Sequence, residues 1–199
     1  VGHLGAVPLA GLAVAGAILQ TAVGLMIFLA YSTTPIVARR RGAGDLRGAV
    51  QAGIDGLWLA LGIGALVGAV LYATSAPLVA AFGVATDTAE QALAYLTVSC
   101  FGIPAMLVVF AASGLLRGLQ DTRTPLAVAV IGFAINALLN WWFIYGLGFG
   151  IAGSAWGTVI AQWGMVAVYL VVIARHARHA GAGFLPRRDG LGHAGRSGG

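Results

Sequence analysis

Five long apolar runs alternate with short polar segments along this 199-residue chain. They cover about 8–37, 46–72, 88–116, 124–145 and 151–174. Each reaches the ~20 residues that carry an α-helix across a ~30 Å hydrocarbon core. The polar segments between them carry helix punctuation. Pro8 suits a first helical turn. Asp45 is a plausible N-cap, Asp87-Thr88-Ala89-Glu90 has capping-box spacing, and Thr124-Pro125 reads as an N-cap followed by Pro at the first helical position. Gly146 to Gly150 is a tight loop. Residues 74–86 read as a longer loop, with Leu78 to Phe82 lying at the interface. Pro104 falls inside the third run, where it removes a backbone hydrogen bond and bends the helix. The fold class is all-α, a polytopic membrane helix bundle with five transmembrane helices.

Polar and small residues inside the runs recur at helical spacing. Asn136 and Asn140 are four apart, so they share a face of the fourth span, with Gly132 one turn before them. Ser154, Thr158 and Gln162 form a stripe on the fifth span, beside the small residues Gly153, Gly157 and Ala161. A short loop makes these two spans antiparallel neighbours, so their polar faces can meet. Gln20 sits inside the first span and Tyr31 is close to three turns further on the same face. In the second span Gly56, Ala60, Gly64 and Gly68 repeat every fourth residue, which lets another helix approach closely. Amides and hydroxyls within a membrane need partners, so these positions face a neighbouring helix or a wet cavity. The candidate substrate or ion cavity is therefore Asn136, Asn140, Thr158, Ser154, Gln162, Gln20 and Tyr31. Interhelical hydrogen bonding without a ligand is the competing explanation for the same residues.

Composition agrees with a membrane protein. Hydrophobic residues make up 59% and charged residues 9%, against about 25% charged in a soluble domain. The mean hydropathy is +0.92 and the pI about 10.1. That basicity does not indicate nucleic acid. All 11 basic residues are arginines, and they lie in loops and the tail rather than on a folded soluble face. The arginine-bearing segments (39–47, 117–123 and the tail from Arg175) alternate with arginine-free ones. The positive-inside rule then puts the N-terminus outside and the C-terminus in the cytoplasm of a plasma (inner) membrane. Residues 175–199 are Arg/Gly-rich and read as a disordered cytoplasmic tail. Cys100 lies in an apolar run and reads as a core residue. His176 and His179 lack a third ligand for a metal. No span holds a carboxylate pair, a Ser/His pair or a metal motif, so nothing points to an enzyme or a cofactor.

Family resemblance enters at Arg117-Gly118-Leu119-Gln120-Asp121-Thr122-Arg123-Thr124-Pro125. This string resembles the loop between the fourth and fifth spans of MATE (multidrug and toxic compound extrusion) transporters, best in the DinF-like branch. Asn136 to Asn140, Phe143 to Gly146 and Gly150 to Ala155 continue the match in order. The resemblance implies that the loop motif is Arg117, Gly118, Asp121, Thr122, Arg123 and Pro125. It also implies that residues 1–174 are spans two to six of the N-terminal lobe, with the first span and the C-terminal lobe missing as partners. The function it implies is secondary efflux of organic cations or amphipathic drugs in exchange for H⁺ or Na⁺. In some family members the positions matching Asn136 and Thr158 lie in a proton- or sodium-linked site, and there an aspartate stands where this chain has Asn140. An Asn carries no charge, which argues against coupling through that position. Two further functions stay open: a lipid-linked precursor flippase of the same superfamily, and a truncated fragment that does not transport.

Overall fold

The structure, a computed structural model, describes residues 5–185, and all their side chains except those of 25–32. The described chain is helical almost throughout. It runs α1 (Ala6–Gly42), α2 (Leu46–Ala80), α3 (Thr86–Cys100), α4 (Ile103–Gly118), α5 (Arg123–Trp141), a π-helical turn (Trp142–Gly146) and α6 (Gly150–Ala180). Four of these helices are long and apolar enough to cross a membrane among the described residues, and α3 with α4, bent by 47°, make a fifth span if taken together. Most of the residues expected in the disordered tail lie outside the described ones.

The two arginine-bearing turns are built alike. After α1, Gly44 takes a left-handed conformation (φ 81°). Its N–H donates to Arg41 O at 2.9 Å, and Asp45 N–H donates to Arg40 O at 3.0 Å. After α4, Gln120 takes the left-handed position (φ 62°). Its N–H donates to Arg117 O and Asp121 N–H donates to Leu116 O, both at 2.9 Å. These are Schellman closures, which satisfy carbonyls left open at a helix end. The aspartate that follows then caps the next helix. Gly48 N–H donates to Asp45 Oδ1 at 2.8 Å, and Thr124 N–H donates to Asp121 Oδ1 at 3.0 Å. The sequence behind both is Arg-Gly-x-x-Asp-x-Arg, at 41–47 and 117–123. Thr124 is therefore not the cap of α5. Its hydroxyl instead donates to Asp121 Oδ2 at 2.6 Å. An Asp just past the closure already points at the N–H groups of the following turn.

Three helices depart from the hydrophobic pattern. α2 continues to Ala80 through much of the stretch read as a loop. The hydroxyls of Thr74 and Ser75 donate to the helix's own carbonyls, Val70 O and Tyr72 O, at 2.8 Å. Such back-bonding keeps polar residues inside a helix. The third run splits at Phe101 and Gly102, just before Pro104. Proline has no N–H for the Cys100 carbonyl four residues back. The Gly64 and Gly68 stripe of α2 lies against this bend. A Cβ at Gly64 would collide with Pro104, and one at Gly68 would come within 2.8 Å of Cys100 O. α6 runs to Ala180 and is stopped by Gly181 (φ 65°). Arg175, His176, Arg178 and His179 therefore stand on its last turns rather than in a coil.

Two apolar clusters hold the bundle together. One joins α2, α4 and α6 around Ile54, Leu115 and Ile173, and the other joins α1 and α3 around Ala15, Ala92 and Leu96. α5 packs mainly on α6. Its outer face leaves Leu126, Phe133, Leu138 and Trp141 exposed, which suits contact with hydrocarbon.

Candidate functional site

The α5–α6 contact begins at a glycine. Asn140 Oδ1 occupies the space that a Cβ on Gly157 would need, and Asn140 N would be 3.0 Å from that atom. Only glycine lets the two backbones come this close. Among the described residues, Asn140 Oδ1 is buried there without a hydrogen-bond partner. A buried acceptor of this kind is costly to leave unmet. One turn away the Thr158 hydroxyl is 3.4 Å from Asn136 Oδ1 and 3.0 Å from Ser154 O. A hydroxyl has one proton to give. The shorter bond to Ser154 O has the better geometry, so the Asn136 oxygen is only weakly engaged. Two amide oxygens, a hydroxyl and a backbone carbonyl thus gather between α5 and α6. Hard cations bind oxygen ligands of this type.

Thr158 also faces a second space. With Gln162 of α6 it lines a cavity of about 90 Å³, closed by Leu19 and Val23 of α1 and by Tyr95, Ser99 and Met106. The Gln162 carbonyl oxygen packs into the gap left by Gly102 at the α3–α4 bend. Tyr95 and Ser99, one turn apart on α3, both line this space. Water or a small ion fits this volume, whereas drug-sized ligands occupy ~300–1,000 Å³. The Phe101 carbonyl, at the same bend, accepts from Trp163 Nε1–H at 3.1 Å.

The candidate residues thus divide. Asn136, Asn140, Ser154 and Thr158 lie together at the α5–α6 contact, and Gln162 shares the cavity with Thr158. Gln20 is exposed, because Leu19 and Val23 are the residues that α1 turns into the cavity. The side chain of Tyr31 lies outside the described residues. Tyr95, Ser99, Gly102 and Met106 are absent from the sequence-derived set. Tyr95 and Ser99 are a polar pair four apart in an apolar run, the same signal that singled out Asn136 and Asn140.

The loop motif lies apart from this cavity, at the ends of α4 and α5. Asn136 is 13 residues beyond Arg123, or ~20 Å along the helix. Arg117, Thr122 and Arg123 are exposed, Pro125 is buried, and Gly118 packs on Val37 and Thr34 O of α1. Partial desolvation pushes the Asp121 carboxyl upward, but hydrogen bonds from Thr124 and the Arg123 backbone, with the charge of His176, outweigh it and hold its pKa below the ordinary value.

The MatE family model matches residues 1–142. The chain belongs to the MatE family. DNA damage-inducible protein F of Escherichia coli is 30% identical over 176 residues, which is 88% of this chain and 38% of that protein. Multidrug resistance protein PmpM of Pseudomonas aeruginosa is 34% identical over 146 residues, 71% of this chain and 30% of that one. Among solved structures, a MATE protein in complex with MaL6 superposes with a TM-score of 0.81 at 27% identity, covering 85% of this chain and 38% of that chain. A MOP superfamily transporter from Pyrococcus furiosus superposes with a TM-score of 0.84 at 25% identity, covering 95% and 43%. This MatE chain spans less than half the length of these relatives. It is a multi-pass membrane protein of a multidrug efflux transporter family.

Proposed function

We infer that this MatE chain forms most of the N-terminal lobe of a secondary transporter that exports organic cations or amphipathic drugs in exchange for H⁺ or Na⁺. The observation that carries this reading is the Thr158–Asn136 contact at 3.4 Å beside the Asn140 oxygen, which has no hydrogen-bond partner among the described residues. It offers oxygen ligands to a small cation without any fixed charge. The side chains lining the neighbouring cavity are uncharged, which favours this reading over a lipid-linked precursor flippase, since phosphates call for cationic residues. The lobe would sit in the plasma (inner) membrane with its N-terminus outside. A first span and a second lobe would complete it, because alternating access needs two bodies that rock against each other. A 90 Å³ cavity is too small for a drug, so the organic substrate would bind where the two lobes meet.

The test is calorimetric titration of the purified chain in detergent with sodium chloride across pH 5 to 8, with choline chloride as the control salt. Sodium- or proton-linked heat is expected in the wild type, reduced by Asn136→Ala and by Thr158→Ala. Heats identical for sodium and choline at every pH, with no proton release, would refute an ion site in this lobe.

A further inference from the structure

The chain does not leave the bundle freely after α6. Gly181 turns it back, with Ala182 N–H donating to Ala177 O at 2.9 Å, and the next three residues run against α2. Gln51, only 6% exposed, binds them through both ends of its amide. Its Oε1 accepts from Gly183 N–H at 3.1 Å, and its Nε2 donates to Leu185 O at 3.1 Å. The same Nε2 donates its second proton to Asp55 Oδ1 at 3.2 Å. Two of these three hydrogen bonds go to backbone more than 130 positions away. Two turns along α2, Trp58 Nε1–H donates to Phe184 O at 3.1 Å. A buried glutamine costs free energy unless it is fully paired. Here most of that pairing comes from this one short segment.

The grip puts one ring in a definite place. Phe184 lines an apolar cavity of about 170 Å³, together with Leu57 and Trp58 of α2, Val108 of α4, and Trp163 and Leu170 of α6. Three helices of the larger core cluster meet at this cavity, and nothing in the oxygen-lined site requires it.

We propose that residues 183–185 are a lid: Gln51 and Trp58 hold their backbone, which seats Phe184 over the cavity, and release of that hold opens the cavity between α2, α4 and α6. The hydrogen bonds fix backbone rather than side chains, so the lid's position depends on Gln51 and Trp58 while its fit depends on Phe184. The lid also ties the end of α6, the helix that carries Thr158, to α2. Movement of α6 against α2 is therefore resisted until the lid lets go.

Hydrogen exchange of the chain in detergent micelles tests this. Gln51→Met keeps the length and removes all three side-chain hydrogen bonds, the two to residues 183–185 included. The Gly183 amide should then exchange roughly tenfold faster, the scale of one lost buried hydrogen bond. The Ala182 amide, bonded within the α6 cap, should keep its rate. In a Cys100→Ala background, Leu57→Cys should react with N-ethylmaleimide faster when Gln51→Met is added. Equal Gly183 rates in wild type and Gln51→Met would overturn the grip. Parallel loss at Ala182 would overturn it too, since the helix end would be fraying as a whole. An unchanged Leu57→Cys rate would overturn the lid. If Gln51→Met does not fold, Trp58→Phe removes the bond to Phe184 O instead, and an unchanged Leu57→Cys rate there counts against the lid in the same way.

Discussion

Gly157→Ala should destabilise this MatE chain while Gly164→Ala, seven residues further along α6, should not. Both substitutions replace a helical glycine by alanine, and both gain about 1 kcal/mol of helix propensity. Their surroundings differ. Nothing lies within 4 Å of a Cβ built at Gly164, whereas one at Gly157 collides with Asn140 Oδ1 and stands 3.0 Å from Asn140 N and 3.2 Å from Leu139 C. The Asn140 side chain can swing aside, but the two backbone atoms move only if α5 moves. Overpacking of this kind costs about 1–3 kcal/mol. The variants should therefore differ by about that amount, with Gly164→Ala the more stable. A difference of about 2 kcal/mol is roughly a thirtyfold change in the unfolding constant. Titration of the chain in mixed micelles with sodium dodecyl sulfate, followed by far-ultraviolet circular dichroism, measures it. Displacing α5 would also stretch the 3.4 Å Thr158–Asn136 contact, so sodium-linked heat should weaken in Gly157→Ala and persist in Gly164→Ala. If Gly157→Ala matches or exceeds the stability of Gly164→Ala, close backbone approach does not set this site.

Gln120→Gly should stabilise the chain by about 0.5–1 kcal/mol in the same titration, because the left-handed position costs a non-glycine residue about 1–2 kcal/mol and glycine returns part of that to the unfolded chain; Gly44→Ala, at φ 81°, should do the reverse. Asp121 has a lowered pKa, so its contribution is complete above the unfolded carboxyl's ordinary 3.8 and is lost as pH falls from there through the folded value; unfolding between pH 5 and 2 should show this slope in the wild type and lose it in Asp121→Asn. For topology, Gly42→Cys in a Cys100→Ala background should react with an impermeant maleimide only from the cytoplasmic side and Thr86→Cys only from the outside, and labelling of Gly42→Cys from outside would reverse the orientation.

Hydrophobic length and the positions of Asn136, Asn140, Ser154, Thr158 and Gln162 could be read along the chain because a helix repeats every 3.6 residues. Periodicity is local, so it says which residues share a face. It does not say where a polar residue finds its partner. Thr74 and Ser75 look like a loop, yet their hydroxyls bond to their own helix. Thr124 looks like a cap, yet Asp121 reaches the amide first from the preceding turn. Gln20 looks like a cavity residue, yet the packing of α1 against α3 turns Leu19 and Val23 inward instead. Tyr95 and Ser99 carried a local signal as good as that of Asn136 and Asn140; their place at the cavity depends on the bend before Pro104. Gln51 shows the limit most plainly. By sequence it is one polar residue near a membrane interface. In the fold it is a buried clamp on backbone more than 130 positions later. Spacing along one helix determined the spans and their polar faces, but only the packing of distant helices decided which of those faces meet, because contact energy depends on separation in space and not on separation along the chain.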